Sequence, residues 1–281
     1  MNGTQRDEQV WRDIQEWEHD YFTYEPTDFG RTYDKWLSSQ LEKLPSEWGG
    51  TVSEWIDASL FHIHALIQNS QFQLDTRKRI LSEARTFRED IYEIEDLQKC
   101  TIDQLIYMAD QEIARNRLTS LAQGGLAGTG GLLLLGSDFP AAVTLGVRSV
   151  QSIALHYGFD IQKPAEMMRS LKVFHMATLP KKHQGEKWDE LFHELSTTED
   201  HPIFYAGNDE VADINWLSQP LKQGIKALAI VMLRKKLVQG IPLFGMALGA
   251  ASNYQQSRRI TEMAHRFYQK RFLSENRSMT F

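Results

Sequence analysis

Residues 118–137 read LTSLAQGGLAGTGGLLLLGS, twenty positions with no charged side chain and with glycine at 124, 125, 128, 130, 131 and 136. Each glycine weakens an isolated helix by ~1 kcal/mol relative to alanine, so such a stretch is helical only where neighbours pack on it. Gly124 and Gly128 are four apart, as are Ala127 and Gly131, and rows of small residues at that spacing let a second backbone approach closely. Gly130-Gly131 marks a bend. Asp138-Phe139-Pro140 then opens a second helix, with the proline expected in its first turn, where a missing N–H costs nothing. Val143, Val147, Val150 and Ala154 share one face of that helix, and Gly158 is placed for a left-handed stop. The pattern is that of a helical hairpin.

A second uncharged run, LVQGIPLFGMALGAASNYQQS, fills residues 237–257. Gly240-Ile241-Pro242 interrupts it, because proline removes a hydrogen bond and disfavours helical angles in the residue before it. A second hairpin is expected, with its tip at Gly240–Gly245 and a descending helix to about Phe272. Gly124, Gly128, Gly131, Gly245 and Gly249 are the expected helix-packing positions. A spanning helix needs about 20 predominantly apolar residues. Six glycines dilute the first run and Pro242 breaks the second, so neither is expected to cross a membrane.

Outward from these runs the chain reads as helices throughout, with no alternation of strand type. Val10, Trp11, Ile14 and Trp17 share a face of a helix over Asp7–Asp20. Tyr33, Trp36, Leu37, Leu41 and Leu44 repeat at the same period. Thr51 and Glu54 have capping-box spacing and open a helix carrying Ile56, Leu60, Ile63 and Ile67. Further helices are expected at Leu74–Asp90, Thr101–Gln123, Ala165–Leu179 and Lys181–Glu194, then a polar loop over Leu195–Asn208. Pro220 opens one more helix, which ends near Arg234-Lys235-Lys236. The expected fold is all-α, a multi-helix bundle with the two glycine-rich apolar hairpins at its centre. Residues 1–100 form an acidic helical region and 101–281 the hairpin-bearing part of one continuous domain.

The net charge of −6 is unevenly spread: residues 1–54 hold 12 acidic and 5 basic side chains, residues 222–281 hold 2 acidic and 11 basic. Either the two ends pack on each other, or the basic end meets an anionic surface. Lipid headgroups suit that surface better than nucleic acid, because the basic residues flank apolar helix. Arg234, Lys235, Lys236, Arg258 and Arg259 are the membrane-facing set on this reading. The single cysteine, Cys100, excludes an intramolecular disulfide and fits a reducing compartment. The N-terminus lacks the apolar core of a signal peptide. The cytoplasm is therefore expected, at the inner face of the cell membrane.

Chemistry-bearing motifs are sparse. His62 and His64 are two apart and diverge on a helix. His193-Glu194 lacks the second histidine of a zinc site, and the glycine cluster lacks the lysine of a phosphate loop. Neither a metal nor a cofactor is expected. Asp110 and Glu112 diverge on a helix, and Glu112 is expected to pair with Arg115 on the surface. One polar set flanks the helix that follows Pro140: Asp138, Arg148 and Tyr157. If Arg148 is buried it needs a carboxylate or several carbonyls, and structural pairing outranks a catalytic role there.

With these residues in view, the chain resembles the EcsC family of bacterial proteins. The resemblance is carried by Leu118–Gly136, by Ser137-Asp138-Phe139-Pro140 with Arg148, by Ile153–Asp160, and by Lys236–Asn253 with its Ile241-Pro242-Leu243-Phe244-Gly245. It implies a link to a membrane transporter of the ATP-binding cassette class or to secretion, and brings no activity and no catalytic residues. The function expected is that of a non-enzymatic accessory protein peripherally bound to a membrane or to a transporter complex. Two alternatives stand beside it. One is an enzyme or carrier for an apolar ligand held between the hairpins, with Arg148 or His156 as its polar contact. The other is a homodimeric scaffold joined through the small-residue strips.

Overall fold

The structure, a computed structural model, describes residues 3–23, 70–127, 135–179, 181–197 and 242–277. Every regular element among them is helical. They are α1 (Gln5–Phe22), α2 (Ser70–Arg85), a 3-10 helix (Ile94–Lys99), α3 (Ile102–Ala127), α4 (Leu135–His156), α5 (Pro164–Thr178), α6 (Lys181–Thr197) and α7 (Pro242–Arg277). The expected helices near Tyr33, Thr51 and Pro220 lie outside the described residues. So do the bend at Gly130-Gly131, His62, His64, Gly128, Gly131, and Arg234, Lys235 and Lys236.

Helix α1 starts earlier than periodicity suggests because Thr4 and Asp7 cap it reciprocally. The Thr4 N–H donates to the Asp7 carboxylate at 2.8 Å, and the Asp7 N–H donates to Thr4 Oγ1 at 3.2 Å. This satisfies amide groups that a helix start otherwise leaves open. Val10, Trp11 and Ile14 are buried, as their spacing demands. Helix α4 begins at Leu135, so Pro140 lies inside it and not in its first turn. The proline forfeits one backbone bond, close enough to the start for the helix to persist. At the other end of α4 the expected stop is realised: Gly158 has φ +83°. Its N–H reaches the Leu155 carbonyl and that of Phe159 reaches Ala154, both at 3.0 Å, closing a Schellman cap. A side chain at 158 would also meet Ile94 O at 3.3 Å.

Helix α7 is the organising element and touches α1, α3, α4 and α5. Its register on α3 is set by three contacts. The Arg277 guanidinium donates to the Cys100 carbonyl at 2.9 Å, His265 Nε2 lies 3.8 Å from Asp110 Oδ1, and Arg117 Nε donates to Thr261 Oγ1 at 3.0 Å. Numbers rise along α3 as they fall along α7, so the two helices run antiparallel. Gly146 lies against Ile260 and Tyr157 against His265, so α4 runs with α7 and against α3, where Ser152 Oγ donates to Glu112 Oε1 at 3.1 Å. Helices α3 and α4 thus lie side by side, and the connection between them falls outside the described residues.

The aromatic core joins three helices. Trp188 of α6 stands 5.6 Å from the rings of both Trp17 and Phe22 of α1, and 5.9 Å from Phe267 of α7. Beside it runs a buried ion network. Arg271 forks onto Glu166 with bonds of 2.6 and 2.7 Å, and its guanidinium lies 3.8 Å from the centre of the Phe159 ring. The opposite charges of the two chain ends also meet: Lys270 pairs with Glu18 at 2.6 Å and Arg277 with Asp7 at 3.6 Å. Packing of the ends on each other therefore accounts for part of the charge asymmetry.

Candidate functional site

The antiparallel register gathers uncharged helix at one end of the molecule. Helix α3 carries no charge from Leu118 to Ala127, and α7 none from Pro242 to Ser257. Helix α4 bears Asp138 in its first turn and then no charge until Arg148. Coming down from that end, the next charged residue on each of the three helices is an arginine: Arg117, Arg148 and Arg258. Arg115 and Arg259 adjoin them. The contacts Arg117–Thr261 and Glu112–Ser152 put these arginines within about one helical turn of a common level. Aromatic residues stand beside this level, because α1 runs parallel to α3 and ends there. Trp17 donates to Glu262 at 3.2 Å, and the Lys181 ammonium lies 4.6 Å from the Tyr21 ring. Above the arginines Leu118 is 65% exposed, and Leu121 and Tyr254 are exposed too. Among the described residues no helix is long and apolar enough to cross a membrane.

Below the arginine level a polar cleft of about 360 Å³ opens between α1, α3 and α7. Asp110, Arg117, Arg258, Glu262 and Arg266 line it, with His265 at its floor. Orientation there follows from the hydrogen bonds. Arg266 donates to Gln269 Oε1 at 3.2 Å, which turns the Gln269 amide nitrogen onto His265 Nε2 at 2.8 Å. His265 Nε2 is then an acceptor, and its proton sits on Nδ1, facing Tyr157 Oη at 3.3 Å. Burial pushes the imidazole down to about 3, helped by the positive charges of Arg266 and Arg117. Burial likewise raises the Tyr157 hydroxyl well above its usual range. A neutral histidine and a protonated tyrosine supply no base poised near pH 7.

A second polar group centres on a buried carboxylate. Glu112 is only 7% exposed and holds Arg79 at 2.9 Å, Arg115 at 3.0 Å and the Ser152 hydroxyl. The expected Arg115 pair forms, but Glu112 is not a surface residue; α2 and α4 pack over it. Asp110, two residues earlier, faces the cleft instead, as a step of 200° around a helix requires. His156 is buried, donates from Nδ1 to the Ser152 carbonyl at 2.7 Å, and is held below its ordinary pKa by that burial.

Of the sequence-selected polar set, Tyr157 reaches the cleft through His265. Arg148 lies half-buried nine residues earlier on α4, about 13 Å along the axis, and burial lowers its pKa. Asp138 is in the first turn of α4. Gly124 lies in α3 and Gly245 and Gly249 lie in α7, near the uncharged end. Arg258 is exposed, 4.0 Å from Glu262, and Arg259 is half-exposed. Cys100 is fully buried at the end of the 3-10 helix. His265, Arg266 and Gln269 escaped the sequence reading, although their i, i+1, i+4 spacing on one helix carries the signal. Among the described residues no three metal-ligating side chains gather.

Comparison with known proteins agrees in extent with the resemblance. The EcsC protein family matches residues 8–273. Uncharacterized protein YdbA of Bacillus subtilis (strain 168) is 25% identical over 219 residues, which is 77% of this chain and 76% of that protein. Protein EcsC of the same organism is 24% identical over 213 residues, covering 76% and 80%. No solved structure matches.

Proposed function

Because the chain belongs to the EcsC protein family, a membership that names no reaction, we propose from its geometry that it is a non-enzymatic accessory protein. It docks by its uncharged end onto the anionic face of a membrane, beside a transporter or secretion complex. One observation carries the proposal: above a common level of arginines, helices α3 and α7 carry no charge and expose Leu118, Leu121 and Tyr254. Arginines let their stems lie along apolar surface while the guanidinium stays with headgroups, and Trp and Tyr favour the same depth. Each basic residue near an anionic leaflet adds about 1 kcal/mol of attraction. Buried leucine adds about 1.5–3 kcal/mol when its full surface leaves water. Together these suit an interfacial contact without a spanning helix.

Co-sedimentation tests it. The protein is expected to pellet with vesicles of phosphatidylglycerol and phosphatidylcholine, less so as salt rises. Leu118→Ser with Leu121→Ser is expected to weaken that binding about tenfold or more, since 1.4 kcal/mol is a factor of ten. Equal sedimentation with and without vesicles sinks the membrane contact. Binding that needs a membrane protein in the vesicle redirects it to the transporter complex.

A further inference from the structure

We infer that the cleft between α1, α3 and α7 is a binding site for a phosphate group, held between the guanidinium groups of Arg117 and Arg266. The membrane reading is not needed for this, since a soluble phosphate suffices to test it. The inference starts from which charges are already matched. Arg6 forks onto Asp103 with bonds of 2.9 and 3.2 Å, and Arg258 has Glu262 at 4.0 Å. Arg117 and Arg266 differ. Arg117 donates to the Thr261 hydroxyl, and Arg266 donates to the Gln269 amide and lies 5.9 Å from the centre of the Trp17 ring. Neither contact neutralises the guanidinium or uses up its five donors.

Exposed carboxylates share the cleft with these two arginines. Asp110 lines the cleft; its side chain is 63% exposed and stands 3.8 Å from neutral His265. Burial raises its pKa, while Arg117 and Arg266 act against that rise. Asp13 is exposed on α1, and Glu262 is taken up by Trp17 and Arg258. Arg117 and Arg266 thus share the cleft with two exposed carboxylates, Asp110 and Asp13, and form an ion pair with neither. Planar guanidinium forks suit the paired oxygens of a phosphate better than a point-like ammonium does. His265 is fixed as a neutral spacer by Gln269 and Tyr157, so it neither repels Arg266 nor takes the anion's place. The cleft volume of about 360 Å³ falls within the usual range of small-ligand sites, about 300–1,000 Å³.

Calorimetric titration of the full chain with sn-glycerol 3-phosphate tests the site, beside flotation with vesicles of phosphatidic acid in phosphatidylcholine. Arg117→Gln with Arg266→Gln is expected to weaken binding at least tenfold. Asp110→Asn is expected to tighten it about threefold, an effect in the direction that general loss of structure does not produce. Arg117→Lys keeps the charge but loses the fork, and gives an intermediate loss if the double variant fails to fold. Binding of glycerol phosphate with this ranking supports a soluble phosphate ligand. The same ranking seen only on phosphatidic acid supports a lipid headgroup. Binding in the soluble arm without any vesicle attachment keeps the cleft and removes the membrane contact. Vesicle attachment unchanged by all three variants, with no glycerol phosphate heat, overturns the cleft assignment and leaves the membrane contact standing.

Discussion

The two ends of α7 follow different rules. Toward Arg277 the helix is tied down by charge: Lys270, Arg271 and Arg277 are all buried, and each has an acidic partner on another helix. Toward Pro242 it offers sixteen residues without a charge. Buried ion pairs contribute little net stability, because desolvation offsets attraction, but breaking one leaves an unmatched charge. The charged end therefore fixes which helices meet and in which direction. The uncharged end has no such constraint, and its Tyr254 is 39% exposed. On the proposed function, one helix serves as internal post and as external contact.

Substitutions at the two ends sharpen this contrast. The largest effect is expected at Trp188, which is 2% exposed and touches rings from α1, α6 and α7. Trp188→Ala should cost about 3–5 kcal/mol, read by urea unfolding; a cost below 1 kcal/mol breaks the distinction between the ends. Acidification comes next. His265, at about 3 in the folded chain, lies below the unfolded value of about 6.5. Between these values the unfolded chain binds a proton that the folded chain does not, so stability falls as the pH drops below 6.5. By pH 5 this amounts to about 2 kcal/mol from His265, and buried His156 acts in the same direction. His265→Asn should flatten the profile, and a wild-type profile flat from pH 7 to 5 contradicts the burial argument. The smallest effect is expected at the uncharged end. Leu118→Ser with Leu121→Ser should move stability by no more than about 0.5 kcal/mol per site, as for ordinary surface positions. A large loss there means these leucines serve the fold.

The sequence made local structure readable and left register unread. Gly158 and the Val10–Trp17 face are visible because caps and periodicity act over a few residues. The opposite charges of the chain ends left packing and an anionic surface as alternatives, and Glu18–Lys270 and Asp7–Arg277 realise the packing. Asp110 and Glu112 were correctly read as diverging, yet which of them is buried depends on α2 and α4 closing over that face of α3. Tyr157 was singled out, but its partner His265 is 108 residues away. No local pattern sets that pairing; it arises from the slide of α7 along α3. Thr4 was passed over because Asp7, not the commoner glutamate, completes its cap.

The central claim is that the uncharged end meets lipid while the opposite end stays in water. Nitroxide labels at Leu118→Cys and, separately, at Tyr92→Cys test it, since Tyr92 is 69% exposed beside the start of α3 and Cys100 is fully buried. On adding phosphatidylglycerol vesicles, collisions with oxygen should rise and those with aqueous nickel fall at position 118, with position 92 unchanged. No change at 118, or an equal change at both positions, contradicts it.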